Sequence, residues 1–255
     1  MTELDVALDA AQAAARLLGQ RPDAVRFKGA VDLVTEIDLA ADATIREILA
    51  RHTPGIAIHS EEGSASLEST RWIVDPIDGT TNFVHGFGSW AVSIALEIDG
   101  RAEVGVVVNA PAGVTFSASR GGGAWANGRR LKVSACRDLC EALLGTGFPY
   151  DRRERVDVYL AFVRRALLQG RGIRRAGAAS LDLCAVAEGT LDAYWEFTLE
   201  SWDVAAGSLL VEEAGGRVTR LDGAPLSGER RAPLATNGWL HDQMLNLLEG
   251  AVESL

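Results

Sequence analysis

Reactive and basic side chains are scarce in this chain. Its 255 residues include 3 cysteines, 4 histidines, 2 methionines and 7 prolines, and Asp plus Glu outnumber Lys plus Arg by 35 to 25. Cys136, Cys140 and Cys184 are an odd set without metal-ligand spacing, so they read as core or incidental thiols and suit the cytoplasm. His52, His59 and His241 have no companion acid at a suggestive spacing, and His85 reads as a helix-capping or packing residue. No apolar run approaches the length needed to cross a bilayer. The N-terminus, Met1-Thr2-Glu3-Leu4-Asp5, is acidic, so no secretory signal is expected. A formal charge of −10 argues against a nucleic-acid partner, which requires a positive footprint. The basic runs Arg152-Arg153-Glu154-Arg155 and Arg171-Gly172-Ile173-Arg174-Arg175 read as solvated faces.

What is present is a soluble-type composition, 47% hydrophobic, long enough for one large or two modest domains. One stretch stands out: Trp72-Ile73-Val74-Asp75-Pro76-Ile77-Asp78-Gly79-Thr80-Thr81-Asn82-Phe83-Val84-His85. An indole and two β-branched residues suit a buried strand, and Pro76 is expected to stop it. Gly79 permits close backbone approach, and Thr80, Thr81 and Asn82 are natural helix N-caps. Two acids crowded at one strand end raise each other's pKa, which a folding role leaves unexplained. Carboxylates beside unsatisfied N–H groups match divalent cations together with a phosphate. The Ile77 carbonyl, between the two acids, is placed as a neutral ligand.

This stretch resembles the signature of the inositol monophosphatase family. Trp202-Asp203-Val204-Ala205-Ala206-Gly207 with Glu212-Glu213-Ala214-Gly215-Gly216 is similar to the family's second signature. Ser60-Glu61-Glu62 resembles its acidic loop, and Lys28 through Asp38 its N-terminal segment. The matches run in family order over nearly the whole chain. The resemblance implies a layered αβαβα sandwich of the α/β (α+β) class.

The coarse pattern agrees with that architecture. Thr2-x-x-Asp5 opens an Ala-rich helix through about Leu18, and a second helix is capped near Thr35. Alternating segments joined by Asp99-Gly100, Gly121-Gly122-Gly123 and Asn127-Gly128 predict an antiparallel meander in the N-terminal half. From Ser134 strand and helix alternate, which predicts a mixed sheet. A soft boundary near Ser134 to Leu139 divides residues 1–135, carrying the Asp75–Asn82 motif, from residues 136–255, carrying Glu196 and the Trp202–Gly207 motif.

The resemblance also implies a mechanism. Residues matching Glu61, Asp75 and the Ile77 carbonyl hold one Mg2+, and those matching Asp75, Asp78 and Asp203 hold a second. Four carboxylates and a phosphate monoester leave room for a third, weaker ion. Phosphate would sit on the Gly79 and Thr80 N–H groups. Water activated by metal would attack directly, oriented by Glu61 and by Thr80 paired with Asp38. Asp78, Gly177, Ala178, Ala179, Glu196 and Asp203 match positions that read polyol hydroxyls. Ala178 stands where eukaryotic members have threonine, so one hydroxyl contact is absent here. Lithium inhibition and a homodimer are further implications.

The reading that follows is a magnesium-dependent phosphomonoesterase for inositol monophosphate. Histidinol phosphate, fructose 1,6-bisphosphate or a phosphoadenosine nucleotide are alternative substrates for the same chemistry. A haloacid-dehalogenase-type enzyme is disfavoured, because its second acid follows two residues after the nucleophile, not three. A catalytically idle regulatory scaffold would have no need of four convergent carboxylates.

Overall fold

The computed structural model describes residues 1–19, 25–27, 33–63, 66, 68–228 and 231–250, without the side chains of 25–27 and 33–34. Lys28 therefore lies outside the described residues. The chain opens with α1 (Glu3–Leu17), whose Thr2–Asp5 capping box is formed. The antiparallel pair β1 (Val25–Phe27) and β2 (Leu33–Thr35) follows, then α2 (Glu36–His52). Thr35 and Asp38 make a second capping box at the start of α2.

A seven-stranded sheet comes next. It contains β3 (Ala57–Ser60), β4 (Thr70–Asp78), β5 (Ala91–Ile98), β6 (Arg101–Asn109), β7 (Val114–Ser119), β8 (Gly123–Ala126) and β9 (Arg129–Arg130). A short helix, α3 (Thr80–His85), separates β4 from β5. Every neighbouring pair is antiparallel except β3 and β4, which run parallel. Asp99 (φ 50°) and Gly100 (φ 77°) form the expected tight hairpin between β5 and β6.

The second sheet is mixed. β10 (Leu143–Thr146) leads to α4 (Val156–Gln169), β11 (Gly172–Arg174), α5 (Ala179–Glu188), β12 (Ala193–Trp195), α6 (Ser201–Glu213), β13 (Arg217–Arg220), β14 (Pro233–Thr236) and α7 (His241–Leu247). Strand order is β11-β10-β12-β14-β13, with β10 parallel to both β11 and β12 and the remaining pairs antiparallel.

Three apolar cores define the layers. α1 and α2 pack on one face of β4, β5 and β6 through Val6, Ala10, Ile45, Trp72 and Ile94. α5 and α6 lie between the sheets, touching Ile73 and Val107 on one side and Tyr194 and Ala235 on the other. α4 and α7 cover the outer face of the second sheet through Phe162 and Met244. The order is αβαβα, as the resemblance implied. Burial on both faces explains why β5 and β6 read as near-continuous apolar runs. Close approach of the middle layer depends on glycine: a Cβ on Gly105 would lie 2.9 Å from the Ala206 carbonyl oxygen.

Two local expectations are corrected. β4 does not stop at Pro76; it continues to Asp78 across a register irregularity between Asp75 and Asp78. A proline lacks the ladder N–H, and the bulge accommodates that loss without ending the strand. The N-cap of α3 is Gly79, at φ 86°, rather than a Thr or Asn. The left-handed turn swings the chain directly from strand into helix, a conformation that glycine adopts at little steric cost.

Candidate active site

The bulge in β4 sets the geometry. Asp75 Oδ1 accepts the Ile77 N–H at 3.0 Å, which folds the strand end around Pro76. Trp72 anchors the strand: it is fully buried, and its indole N–H donates to Thr53 Oγ1 at 2.9 Å, beyond the last turn of α2. Burying roughly 200 Å2 of indole at about 25 cal/mol/Å2 contributes about 5 kcal/mol, enough to keep the acids behind it from drifting.

Asp203 arrives from the first turn of α6, held by the Glu200 N–H on its Oδ2 at 2.7 Å. Asp75, Asp78 and Asp203 each present one carboxylate oxygen, and these atoms lie within 4.8 Å of one another. Glu61 is outside that tight trio but adjoins it. Its N–H donates to the Val74 carbonyl at 3.2 Å, extending the β3/β4 pairing by one residue, and its carboxyl shares a hydrogen bond with Asp75.

Electrostatics follow from this crowding. Burial, then Glu61, Asp78 and Asp203, push the Asp75 carboxyl well above the ordinary carboxylate range. Asp203 is raised by burial, then by Asp78 and Glu61. Asp78 is raised by burial, but three bonds from α5 work against the rise. Oxygen-only donors that repel one another in a desolvated pocket suit a hard divalent cation. The donor set therefore fits the divalent cation that the resemblance implies.

Asp78 joins the first sheet to the middle helical layer. It accepts the Ala179 N–H at 3.2 Å on Oδ1, and the Ser180 N–H at 2.8 Å and hydroxyl at 2.5 Å on Oδ2. Ala178, the N-cap of α5, has no side chain able to cap. Asp78, 102 positions from Ser180, fills that role from another layer. Gly79 lies against the same turn: a Cβ there would be 3.2 Å from both the Ala178 Cβ and the Gly177 carbonyl oxygen. Gly177, Ala178 and Ala179 are thereby brought beside the motif.

Asp38 is buried, its Oδ2 taken by the Thr35 N–H at 2.8 Å and hydroxyl at 2.5 Å. Its Oδ1 is 3.5 Å from Thr80 Oγ1, while Thr80 lies 3.0 Å from the Ile77 carbonyl. One hydroxyl proton serves both acceptors, and the shorter contact is to Ile77. In α3 the first intrahelical bond runs from Phe83 N–H to Gly79 O, so the N–H groups of Thr80, Thr81 and Asn82 have no acceptor within the helix.

Glu196 follows β12 and is 7% exposed. Burial raises its pKa to about 7, against the lowering effects of Tyr194 and Arg175. Tyr194 donates its hydroxyl to Glu196 Oε2 at 2.5 Å. Sequence reasoning missed Asp182, a buried acid on α5 raised by burial and then by Glu196 and Asp78. An acid in the first turn of an otherwise apolar helix was the available signal. Ser180 and Tyr194 were also missed. Asn82, read only as a capping residue, instead donates to the Ser89 and Ala176 carbonyls at 2.8 Å each, fixing the approach to Gly177. His85 lies exposed in the last turn of α3.

The model of the inositol monophosphatase family matches residues 1–253. The chain belongs to that family. The "Nus factor SuhB" of Pseudomonas aeruginosa is 48% identical over 233 residues, covering 87% of this chain and 86% of that protein. The "Inositol-1-monophosphatase" of Rhizobium meliloti is 45% identical over 203 residues, 78% of this chain and 76% of its own. Among solved structures, the IMPase of Thermotoga maritima superposes with a TM-score of 0.90 at 34% identity, covering 99% of each chain. Inositol monophosphatase membership makes this a phosphatase fold with a metal-dependent site. Among the described residues, no helix is long and apolar enough to cross a membrane.

Proposed function

We propose that this protein is a magnesium-dependent phosphomonoesterase acting on inositol monophosphate. The observation that carries the reading is the meeting of Asp75, Asp78 and Asp203 within 4.8 Å, with Glu61 hydrogen-bonded to the first of them. Glu61, Asp75, Asp78, Asp203 and the Ile77 carbonyl would hold Mg2+, in two or three sites. Bound there, the cations supply Lewis acidity toward the phosphoryl oxygens and lower the pKa of water.

The chain's own residues do the rest. The Gly79 and Thr80 N–H groups bind phosphate oxygens. Thr80, between Ile77 and Asp38, and Glu61 orient the attacking water. Glu196, together with Asp78, Asp203 and the Gly177–Ala179 turn, accepts and orders the polyol hydroxyls. Burial of Glu196 strengthens such contacts by excluding competing water.

The same reading includes a cytoplasmic homodimer with no nucleic-acid or membrane partner, two halves meeting near residues 134–139, and inhibition by lithium. Phosphate release from inositol 1-phosphate, histidinol phosphate, fructose 1,6-bisphosphate and a phosphoadenosine nucleotide, with and without Mg2+ and Li+, tests the substrate. Light scattering tests the dimer. Inositol 1-phosphate should turn over fastest and only with Mg2+; a faster rate on another ester would replace the substrate and keep the chemistry.

A regulatory role is the second reading, favoured by relatives named "Nus factor SuhB" at 48% and 42% identity. No phosphate release from any ester, despite Mg2+ binding, would make the idle scaffold the better account.

A further inference from the structure

A buried ion triad links the two sheets behind the acid cluster. Glu97 on β5 takes Arg71 Nη2 on Oε1 at 2.8 Å and Arg231 Nη2 on Oε2 at 2.6 Å. Arg71 stands directly opposite Glu97 in the β4/β5 pairing, whereas Arg231 comes from the segment leading into β14. All three side chains are buried. Burial makes the triad unlike a surface ion pair: loss of one partner strands a charge out of water.

The arginines also grip backbone. Arg71 Nη1 donates to the Ser66 carbonyl at 2.5 Å, and Arg231 Nε donates to the Gly228 carbonyl at 2.8 Å. Arg231 and Leu199 exchange backbone bonds in both directions, at 2.7 and 2.8 Å. Ser66 lies on the segment that follows Glu61. Leu199 immediately precedes Glu200, the N-cap of the helix carrying Asp203.

A second path connects the same two places. The Ser66 N–H donates to His59 Nδ1 at 3.2 Å, and the His59 ring packs on Trp202 with centroids 5.2 Å apart. His59 is two residues before Glu61, and Trp202 is the residue before Asp203. The contacts therefore close a ring, from Ser66 through Arg71, Glu97 and Arg231 to α6, and back through Trp202 and His59. Glu61 and Asp203, two acids from different layers, each stand one or two residues from a member of this ring.

We propose that Glu97 is a positioning residue: by clamping Arg71 and Arg231 it holds the Glu61 segment and the first turn of α6 in fixed relation, so that Glu61 and Asp203 meet Mg2+ already arranged. This rests on the metal-site reading above. Groups behind metal ligands commonly set affinity because they remove the ordering cost of the ligands themselves.

Isothermal titration with MgCl2 on the full chain tests it, using wild type, Glu97→Asp, and the triple variant Arg71→Met/Glu97→Leu/Arg231→Met. The aspartate keeps the charge but is too short to reach both guanidinium groups. The apolar triple removes all buried charge, so the fold is kept while both backbone grips are lost. Both variants should bind Mg2+ about tenfold more weakly, the low end of the effect of removing a ligand's supporting partner. The Mg2+ concentration for half-maximal turnover should rise in step, with kcat at saturating Mg2+ within about twofold of wild type. A folded variant with wild-type Mg2+ affinity overturns the proposal, and so does failure of both variants to fold, which assigns the triad to fold stability alone. Wild type that neither binds Mg2+ nor releases phosphate removes the site reading itself; competent wild type with unaltered variants removes only the role of Glu97.

Discussion

The Ser180 hydroxyl donates to Asp78 Oδ2 at 2.5 Å, so a carboxylate of the strand motif is tuned by the first turn of a helix in the middle layer. That bond favours the charged form of Asp78 and opposes the effect of burial. Ser180→Ala removes it at a fully buried position. A lost hydrogen bond to a charged group costs about 2 kcal/mol, read as a lower urea midpoint. Mg2+ affinity should fall as well, and more at pH 6 than at pH 8, because the unsupported carboxylate holds its proton more tightly. An affinity loss that does not change with pH would show that Ser180 acts by holding the position of Asp78 and not through its charge.

Asp75→Asn separates activity from stability. Asp75 is buried among acids that hold its pKa well up, so removing its charge relieves the metal-free fold at pH 7.5. The melting temperature without Mg2+ should rise, by about 2–4 °C for each kcal/mol of repulsion relieved. Turnover should drop by more than about 100-fold, beyond what loss of an outer partner produces. Activity near that of wild type would rule out Asp75 as a shared ligand.

Glu196 sets a pH dependence for substrate capture. Its pKa, raised by burial to about 7, leaves the carboxylate half protonated at neutrality and less able to accept hydroxyls. kcat/KM for inositol 1-phosphate should rise as pH increases through about 7. The Tyr194 hydroxyl favours the charged form, so Tyr194→Phe should move that inflection upward, and Glu196→Gln should abolish it. An unmoved inflection in Tyr194→Phe would show that another group titrates.

His241 works in the opposite sense on stability. Thr219 Oγ1 lies 2.7 Å from the Arg220 carbonyl and gives its proton there, so at 3.0 Å it accepts from His241 Nε2–H. Nδ1 in turn accepts from Thr236 at 3.0 Å. Burial, then Arg217, lowers the pKa of this neutral ring from 6.5 to about 4. A depressed folded-state value means the unfolded chain binds the proton first. The contribution of His241 is therefore intact above pH 6.5 and is lost as pH falls toward 4. At about 1.4 kcal/mol per unit the loss is on the order of 3 kcal/mol. Urea unfolding of wild type and His241→Asn at pH 7.5 and 4.5 should show the gap between them narrowing in acid. A constant gap would contradict the assignment.

Periodicity made the helices legible. Thr2 and Thr35 cap α1 and α2 as their spacing predicts, and the apolar positions Ile37, Ala41, Ile45 and Leu49 form the buried face of α2. Asp99-Gly100 and Asn127-Gly128 turn where turn chemistry requires it. Short pairings were not legible: β1, β2 and β11 have three residues each, too few to show an alternation, and their strand character comes from the strand each one pairs with. At the site, Asp75 and Asp78 stood out because two acids crowded at one strand end have no folding rationale, and Asp203 stood out through the resemblance of its segment to the family's second signature. Asp182 and Ser180 passed unnoticed, since one is a single acid on a helix and the other a small polar residue; only their neighbours give them meaning.

Local sequence by itself determined which segments coil or extend, where they turn, and which acids stand at strand and helix ends, because those choices depend on dihedral sterics and side-chain spacing within a few residues. Tertiary structure alone decided that Asp78 caps α5, that Glu97 bridges Arg71 and Arg231, and that Glu196 titrates near neutrality. Each of these depends on desolvation and on a partner brought in from another layer, and neither is encoded in the residues adjoining it.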